Sequence, residues 1–413
     1  MGDSSDRMSK VIDSPSAKAP VPLAFMLLAA ALSTFPPVTT DIYLPALPEL
    51  TRSLHGTTAQ GQATLAFYFL GLGVGQLFYG PWSDRIGRRP TMLIGVGIFL
   101  VASAGCALAS SMNAMIVLRL LQALGACAGL VTASAIVRDR FDHQSSARIF
   151  SMLLLARGLG PLLAPLAGGV IVTYTSWRVI FWVLAAFGAS LGVLVLFGFR
   201  ETRTAEVAAR ARSESAGRAY LAALSNPRIV GYLFTNGLNF AGMFAWIAAA
   251  PYLVIGTYGV PALYFGWVFG LNAAGFMIAS QINRRLLRAV PADRLMAFGA
   301  IGALVAASVL LIDAITGFGG PVGVLGPLVL VISSLGFVST NAMAGGLAVD
   351  PSRSGTISAL FGTSQFAFGG ITTVAGAFIS HQTALAMAGV IFVCATGALV
   401  FPLSLLLRPA PTR

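Results

Sequence analysis

An aspartate interrupts the first long apolar run of this 413-residue chain. Residues 20–38 carry no charge, and Asp41 then appears in TTDIYLPALP, Thr39–Pro48. It is the only carboxylate well inside an apolar stretch of the first half. Glu49 follows at the end of the same run, Asp313 stands near the end of a later one, and Asp350 lies in a connecting segment. A carboxyl group held away from water can load and release a proton. Moving one charge across a membrane potential is worth about 2.3 kcal/mol per 100 mV, enough for such a group to couple proton flow to uphill work. The plainer alternatives are a permanent ion pair with Arg119 or Arg157, or hydration at the mouth of the run. Pro45 and Pro48 follow the acid and are expected to bend the segment beside it.

Two cations also sit in apolar runs. Arg119 and Gln122, in LRLLQALGACAGL, are one turn apart on one helix face. An arginine inside a span is costly and marks a functional site by default; the alternative is a structural arginine snorkelling to the headgroups. Arg157 opens ARGLGPLLAPLAGG, Ala156–Gly169, where Gly160, Pro161 and Gly168-Gly169 suit close helix approach and bending. Generic packing explains that pattern equally well. Uncharged polar and aromatic residues complete the set: Tyr43, Asn236, Asn239, Phe240, Phe244, Trp246, Asn272, Asn341 and Gln365 are candidates for the wall of an apolar, aromatic cavity with a few polar anchors. The amides carry more weight than the aromatics, because an amide in a span needs a partner or water.

The elements that must position these residues are membrane helices. The chain is 56% hydrophobic and only 10% charged, against roughly 25% charged in soluble domains, and its mean hydropathy is +0.83. Twelve apolar runs are long enough to span, at about 22–48, 60–80, 91–110, 113–137, 147–172, 177–199, 228–256, 262–283, 294–315, 320–348, 355–380 and 384–407. The alternation of a membrane β-barrel is missing from them. Six runs lie on each side of a polar, arginine-rich segment, which predicts an internal duplication: residues 1–199 as one six-helix bundle with a short tail, 200–227 as a central loop, and 228–413 as a second bundle around a shared cavity.

The net charge of +12 does not point to nucleic acid. Apart from Arg119 and Arg157, its arginines fall in short connections on one side of the membrane, with only Arg52 and Arg178 on the other, so both termini are expected to be cytoplasmic. Cys106, Cys127 and Cys394 each stand alone and the three histidines are far apart, so no disulfide framework, metal site or cofactor is expected. Lys10 and Lys18 precede the first run, which is too long for a cleavable signal core.

The first connection on the basic side reads GPWSDRIGRRP, Gly80–Pro90. Gly80 and Gly87 permit tight turns, and Asp84 can pair with arginine or sit at a helix N-terminus to latch the two bundles. Here the chain resembles the major facilitator superfamily, whose second-to-third-span loop carries G-x-x-x-D-R-x-G-R-R; Gly80, Asp84, Arg85, Gly87, Arg88 and Arg89 match it. Arg119 and Gln122 resemble the antiporter motif R-x-x-Q-G with Ala123 at the glycine, and Gly160-Pro161 loosely resembles a signature of exporters. TTDIYLPALPEL, NFAGMFAWIAAAPYLV (Asn239–Val254) and STNAMA (Ser339–Ala344) are similar to spans 1, 7 and 10 of the bicyclomycin-resistance (Bcr/CflA) drug:proton antiporters.

That resemblance runs along nearly the whole chain. It implies a twelve-helix exporter of varied, often neutral, small molecules in the bacterial inner membrane, a monomer driven by protons and working by alternating access, with a role in proton transfer for Arg119. Related exporters carry a second span-1 acid two turns before Asp41. Here that position is Ser33, which puts a two-carboxylate mechanism and cationic substrates in doubt. An exporter of a natural metabolite, such as an amino acid or sugar, is the neighbouring alternative, and a non-transporting membrane sensor the distant one. No nucleophile–base pair in the spans suggests an enzyme.

Overall fold

The computed structural model describes residues 23–141, 143–204, 207–209, 215–378 and 384–406. The tail with Lys10 and Lys18, and the side chains of Arg138, Arg148 and Arg157, lie outside the described residues. Twelve long helices account for most of the chain: α1 Leu23–Asp41, α2 Thr58–Ile86, α3 Arg88–Leu108, α4 Met112–Arg140, α5 His143–Tyr174, α6 Trp177–Gly198, α7 Pro227–Ala250, α8 Ala262–Leu286, α9 Ala292–Thr316, α10 Gly320–Val349, α11 Ser354–Phe378 and α12 Ala384–Leu406. Among the described residues, nine helices are long and apolar enough to cross a membrane. Side chains such as Phe197, Ile315 and Val393 stay exposed on them, as lipid contact requires.

Local chemistry sets the helix ends. Thr57 and Gln60 form a reciprocal capping box at the start of α2. Ser111 accepts from the Ala114 N–H at 3.3 Å to start α4, and Asn226 from the Arg228 N–H at 3.0 Å to start α7. Two ends depart from the sequence expectation. The first span stops at Asp41; a 3-10 turn, Leu44–Ala46, and a short helix, Leu47–Ser53, follow. Pro45 and Pro48 lie in the opening positions of these two elements, where a missing N–H costs nothing, so they start new turns instead of bending an old one. The prolines inside the helix are Pro36 and Pro37. At the other departure, α2 continues to Ile86, which puts Gly80 inside a helix.

Packing repeats with a period of six helices. In the first half α1 packs on α4 and α5, α2 on α4, and α3 on α4 and α6; in the second α7 packs on α10 and α11, α8 on α10, and α9 on α10 and α12. The chief contacts between halves, α2 with α11 and α5 with α8, are themselves exchanged by that period. The fold is two six-helix bundles of like architecture. In the connection between them, the helix Ala216–Leu224 docks through the Tyr220 hydroxyl, which donates to the Leu77 carbonyl at 3.1 Å.

A cavity of about 2130 Å³ separates the bundles. Its wall runs from Asp41 and Trp246 to Asp84, Arg88, Arg218, Arg284 and Arg353, so it reaches the arginine-rich end. At the opposite end the halves meet. The Thr51 and Tyr252 hydroxyls are 2.9 Å apart, and Gln62 donates to the Ala248 carbonyl at 3.3 Å.

Candidate functional site

Asp41 is the last residue of α1 and forms part of the cavity wall, with 6% of its surface exposed. Ser33, Pro37 and Thr40 of the same helix line the wall with it. Their hydroxyls turn inward on the helix itself: Thr40 donates to the Pro36 carbonyl at 2.9 Å and Ser33 to Ala30 at 2.9 Å. Among the described residues no cation lies within ion-pair distance of Asp41, and none donates a hydrogen bond to its carboxyl. An acid on a cavity wall without a fixed counter-charge is free to exchange its proton.

Arg119 is not its partner. The guanidinium is fully buried, off the cavity wall, with its carbon 4.1 Å from the Tyr43 ring centroid and 4.2 Å from that of Tyr68. Nη1 donates to Gln122 Oε1 at 2.5 Å and to the Thr39 carbonyl at 3.4 Å; Gln122 in turn donates to the Ser103 hydroxyl at 2.8 Å. Nε and Nη2 find no acceptor among the described residues. The cation is thus held by two aromatic faces and an amide, which excludes the snorkelling alternative and leaves Asp41 and Arg119 in separate environments.

The remaining candidates divide by helix face. Asn236, Phe240, Phe244, Trp246, Asn272 and Gln365 line the cavity. Asn272 donates to the Val268 carbonyl at 2.9 Å, and its Oδ1, the Asn236 Oδ1 and the Trp246 Nε1 are buried without partners among the described residues. Three expected wall residues lie elsewhere. Tyr43 is buried beneath Arg119 with its hydroxyl 3.0 Å from that of Thr64. Asn239 turns to α10 and donates to Ser334 Oγ at 3.3 Å. Asn341 donates to Asn283 Oδ1 at 2.8 Å and ties α10 to α8. For the two asparagines, the face of the helix packed on its neighbour claims the polar group; Tyr43 lies in the turn after α1.

Wall residues the sequence reading passed over include Phe69, Phe269, Phe276, Phe366 and Met243. Phe69 and Phe244 meet across the bundles with centroids 4.1 Å apart, and Trp246 stacks on Phe269 at 5.9 Å and 21°. On α8 a signal was present. Phe269, Asn272, Phe276, Ser280 and Asn283 recur every three or four residues, a polar-marked stripe within an apolar helix.

Asp84, Arg88 and Arg89 of the basic loop tie the first bundle together. Arg88 pairs with Asp84 at 2.5 Å and with Asp139, near the end of α4, at 2.8 Å, and donates to Ser83 Oγ at 2.6 Å. Glu201, just past α6, caps α3 by accepting from the Arg88 and Arg89 N–H groups at 2.9 and 3.1 Å. Burial raises the Glu201 pKa, but the N–H donors of Arg203, Arg88, Arg89 and Thr202 outweigh it and hold the carboxyl below its ordinary value. Arg89 also donates to the Leu196 carbonyl at 2.6 Å, and the Arg85 carbonyl accepts from Arg203. With the cavity open at this end, Asp84 pairs with Arg88 of its own bundle, and among the described residues no ion pair latches it to the second.

The glycines separate in the same way. Gly87 has φ +114°, and a Cβ there would lie 2.5 Å from Glu201 Oε2. Around Gly80 a Cβ would meet nothing within 4 Å, so no close approach requires that glycine. Pro161 is on the cavity wall. A Cβ on Gly160 would make only ordinary contact, 3.7 Å from Pro37, whereas at Gly168 it would overlap the Ile42 carbonyl. The close approach of α5 to the end of α1 is therefore at Gly168, two turns beyond Gly160.

Two bundles repeating each other around a cavity open at the basic end match a sequence profile that covers residues 23–374, that of the Major Facilitator Superfamily. The chain belongs to this superfamily. Within it, a bicyclomycin resistance protein homolog of Haemophilus influenzae is 31% identical over 363 residues, 88% of this chain and 91% of that one. A chloramphenicol resistance protein of Pseudomonas aeruginosa is 30% identical over 350 residues, 84% and 81% of the two chains. These relatives agree with the family read from the sequence. Among solved structures, a bacterial homolog of the human lysosomal transporter Spinster, captured inward-facing and unoccupied, superimposes with a TM-score of 0.73 at 15% identity over 94% of this chain and 98% of that one. This major facilitator is a multi-pass membrane transporter by fold and family.

Proposed function

We infer that the protein exports small, neutral or chemically varied drugs across the bacterial inner membrane in exchange for protons, by alternating access. The observation that carries this reading is Asp41, a carboxyl on the wall of a largely apolar, aromatic cavity with no cation beside it among the described residues. A proton bound there from one side and released to the other returns the empty carrier, while the aromatic wall and the Asn236, Asn272 and Gln365 amides hold the drug. The arginine-rich end is cytoplasmic by the positive-inside rule, with both termini on that side, so the structure is inward-facing. The similarity to bicyclomycin and chloramphenicol resistance proteins supports drugs as the cargo. With Ser33 in place of a second acid, one carboxyl serves each cycle. A monomer suffices, since the cavity lies within one chain and needs no partner but lipid.

Proteoliposomes with an imposed pH gradient test this. Chloramphenicol and bicyclomycin should move against the proton flow, and Asp41→Asn should abolish gradient-driven movement while the purified protein remains folded. Undiminished gradient-driven transport by Asp41→Asn overturns the assignment.

A further inference from the structure

The end of the molecule opposite the arginines is closed by a contact that fits one residue in particular. Gly61 lies in the first turns of α2, and a Cβ there would overlap the Tyr252 hydroxyl and stand 2.6 Å from Thr51 Oγ1. Tyr252 belongs to Pro251–Thr257, where α7 widens from an α-helix into a π-helical turn. Such turns are rare and gather at functional positions, and Pro251 at its start lacks the N–H that would continue the regular ladder. The Tyr252 hydroxyl, carried by the second bundle, thus occupies the space of the missing side chain on the first. It is held there by the Thr51 hydroxyl at 2.9 Å, and one turn earlier on α7 the Ala248 carbonyl accepts from Gln62.

These contacts link α2 and the short Leu47–Ser53 helix to α7, and the cavity wall includes none of Thr51, Gly61, Gln62 and Tyr252. They form a floor beneath it. We propose that Gly61 and Tyr252 are the lock of the outer gate: the hydroxyl seated in the glycine notch holds the inward-facing state, and its withdrawal admits the outward-facing one. This rests on the alternating-access reading above. It assigns to the pair a role in setting the balance between states, distinct from binding cargo or carrying the proton. The wider winding of the π-helical turn, in which the Tyr258 N–H donates to the Leu253 carbonyl at 2.8 Å, gives Tyr252 a segment that can rewind to the α-helical register without disturbing the rest of α7.

The test is accessibility from the two faces. Cys106, Cys127 and Cys394 are all buried, so a single cysteine at Met243, on the cavity wall, reports alone. It is labelled with a membrane-impermeant maleimide in right-side-out and inside-out vesicles. In the parent background labelling should come predominantly from the arginine-rich side. Adding Gly61→Ala should raise labelling from the opposite side severalfold and lower it from the first. Tyr252→Phe alone removes one hydrogen bond and should shift the ratio by about fivefold in the same direction. The double Gly61→Ala, Tyr252→Phe should fall back toward the single Tyr252→Phe, because the overlapping hydroxyl is gone, the nearest ring carbon is 3.0 Å away, and Thr51 Oγ1, at 2.6 Å, is released from its bond to Tyr252 and can turn aside.

Unchanged labelling from both sides in Gly61→Ala overturns the lock. If Gly61→Ala does not reach the membrane, Tyr252→Phe and Thr51→Val decide in its place, and no shift in either overturns it equally. Failure of the drug-export reading is separate: the labelling ratio would still respond to Gly61→Ala, while no pH gradient would move chloramphenicol or bicyclomycin.

Discussion

Two glycines seven residues apart in the basic loop motif should respond oppositely to the same methyl group. Gly87 adopts φ +114° and ψ 158°, a region open essentially to glycine alone, which costs an alanine about 1–3 kcal/mol. Its new Cβ would also press on Glu201 Oε2 from 2.5 Å and displace the carboxylate from the α3 N–H groups, a cap worth about 0.5–2 kcal/mol. Gly87→Ala should therefore destabilise the protein by about 1.5–5 kcal/mol. Gly80 sits inside α2 with open space around a Cβ, and Gly80→Ala should gain about 0.5–1 kcal/mol from helix preference. Thermal unfolding in detergent, followed by tryptophan fluorescence and by monodispersity on size exclusion, measures both. Gly87→Ala should melt several degrees lower than the parent, and Gly80→Ala at the same temperature or slightly above. Equal shifts in the two, or a lower melting point in Gly80→Ala alone, would refute the placement of the loop and its cap.

Other perturbations follow from the same geometry. The depressed Glu201 pKa contributes stability that is fully present above its unfolded value near 4.5 and is lost as pH falls through the lower folded value; melting curves of Glu201→Gln should lack that acid-side decline. Arg119→Lys keeps the charge but loses the planar stacking on Tyr43 and Tyr68 and the bond to Gln122, and should lower the melting temperature with a cost of about 2 kcal/mol. Gly168→Ala drives a methyl into the Ile42 carbonyl next to Asp41, so drug efflux in a susceptible host should fall at least tenfold while surface expression persists. Asp139→Asn removes one of the two acids on Arg88, and limited proteolysis of the 80–90 loop should speed up.

The parts of the fold set by continuous hydrophobicity were legible in the sequence, because a helix in lipid has few other ways to satisfy its backbone. Twelve long helices lie where the twelve apolar runs were expected, nine of them apolar enough to span among the described residues, and the largest departures are the first, which stops at Asp41, and the second, which runs on to Ile86. Asp41 was equally legible, since a carboxyl is conspicuous where charge is expensive. Rotation about a helix axis was not. Asn236 and Asn239 are three residues apart, yet one faces the cavity and the other α10, and only the packing of neighbours decides which. Tyr43 failed for a related reason: the helix ends at Asp41, so the next residues turn beneath Arg119. Glu201 was invisible because its partner helix begins 113 residues earlier, at Arg88, and no local pattern links a carboxylate to a distant helix start.

The aromatic enclosure of Arg119 has an electrical consequence. The guanidinium is clamped between Tyr43 and Tyr68, both of the first bundle, so its charge travels with that bundle through the cycle. When that bundle tilts, it carries the charge through part of the membrane field. Each tenth of the field crossed changes the balance of states by about 0.2 kcal/mol at 100 mV. Turnover would then depend on voltage even with a neutral cargo, through a charge that never leaves the protein.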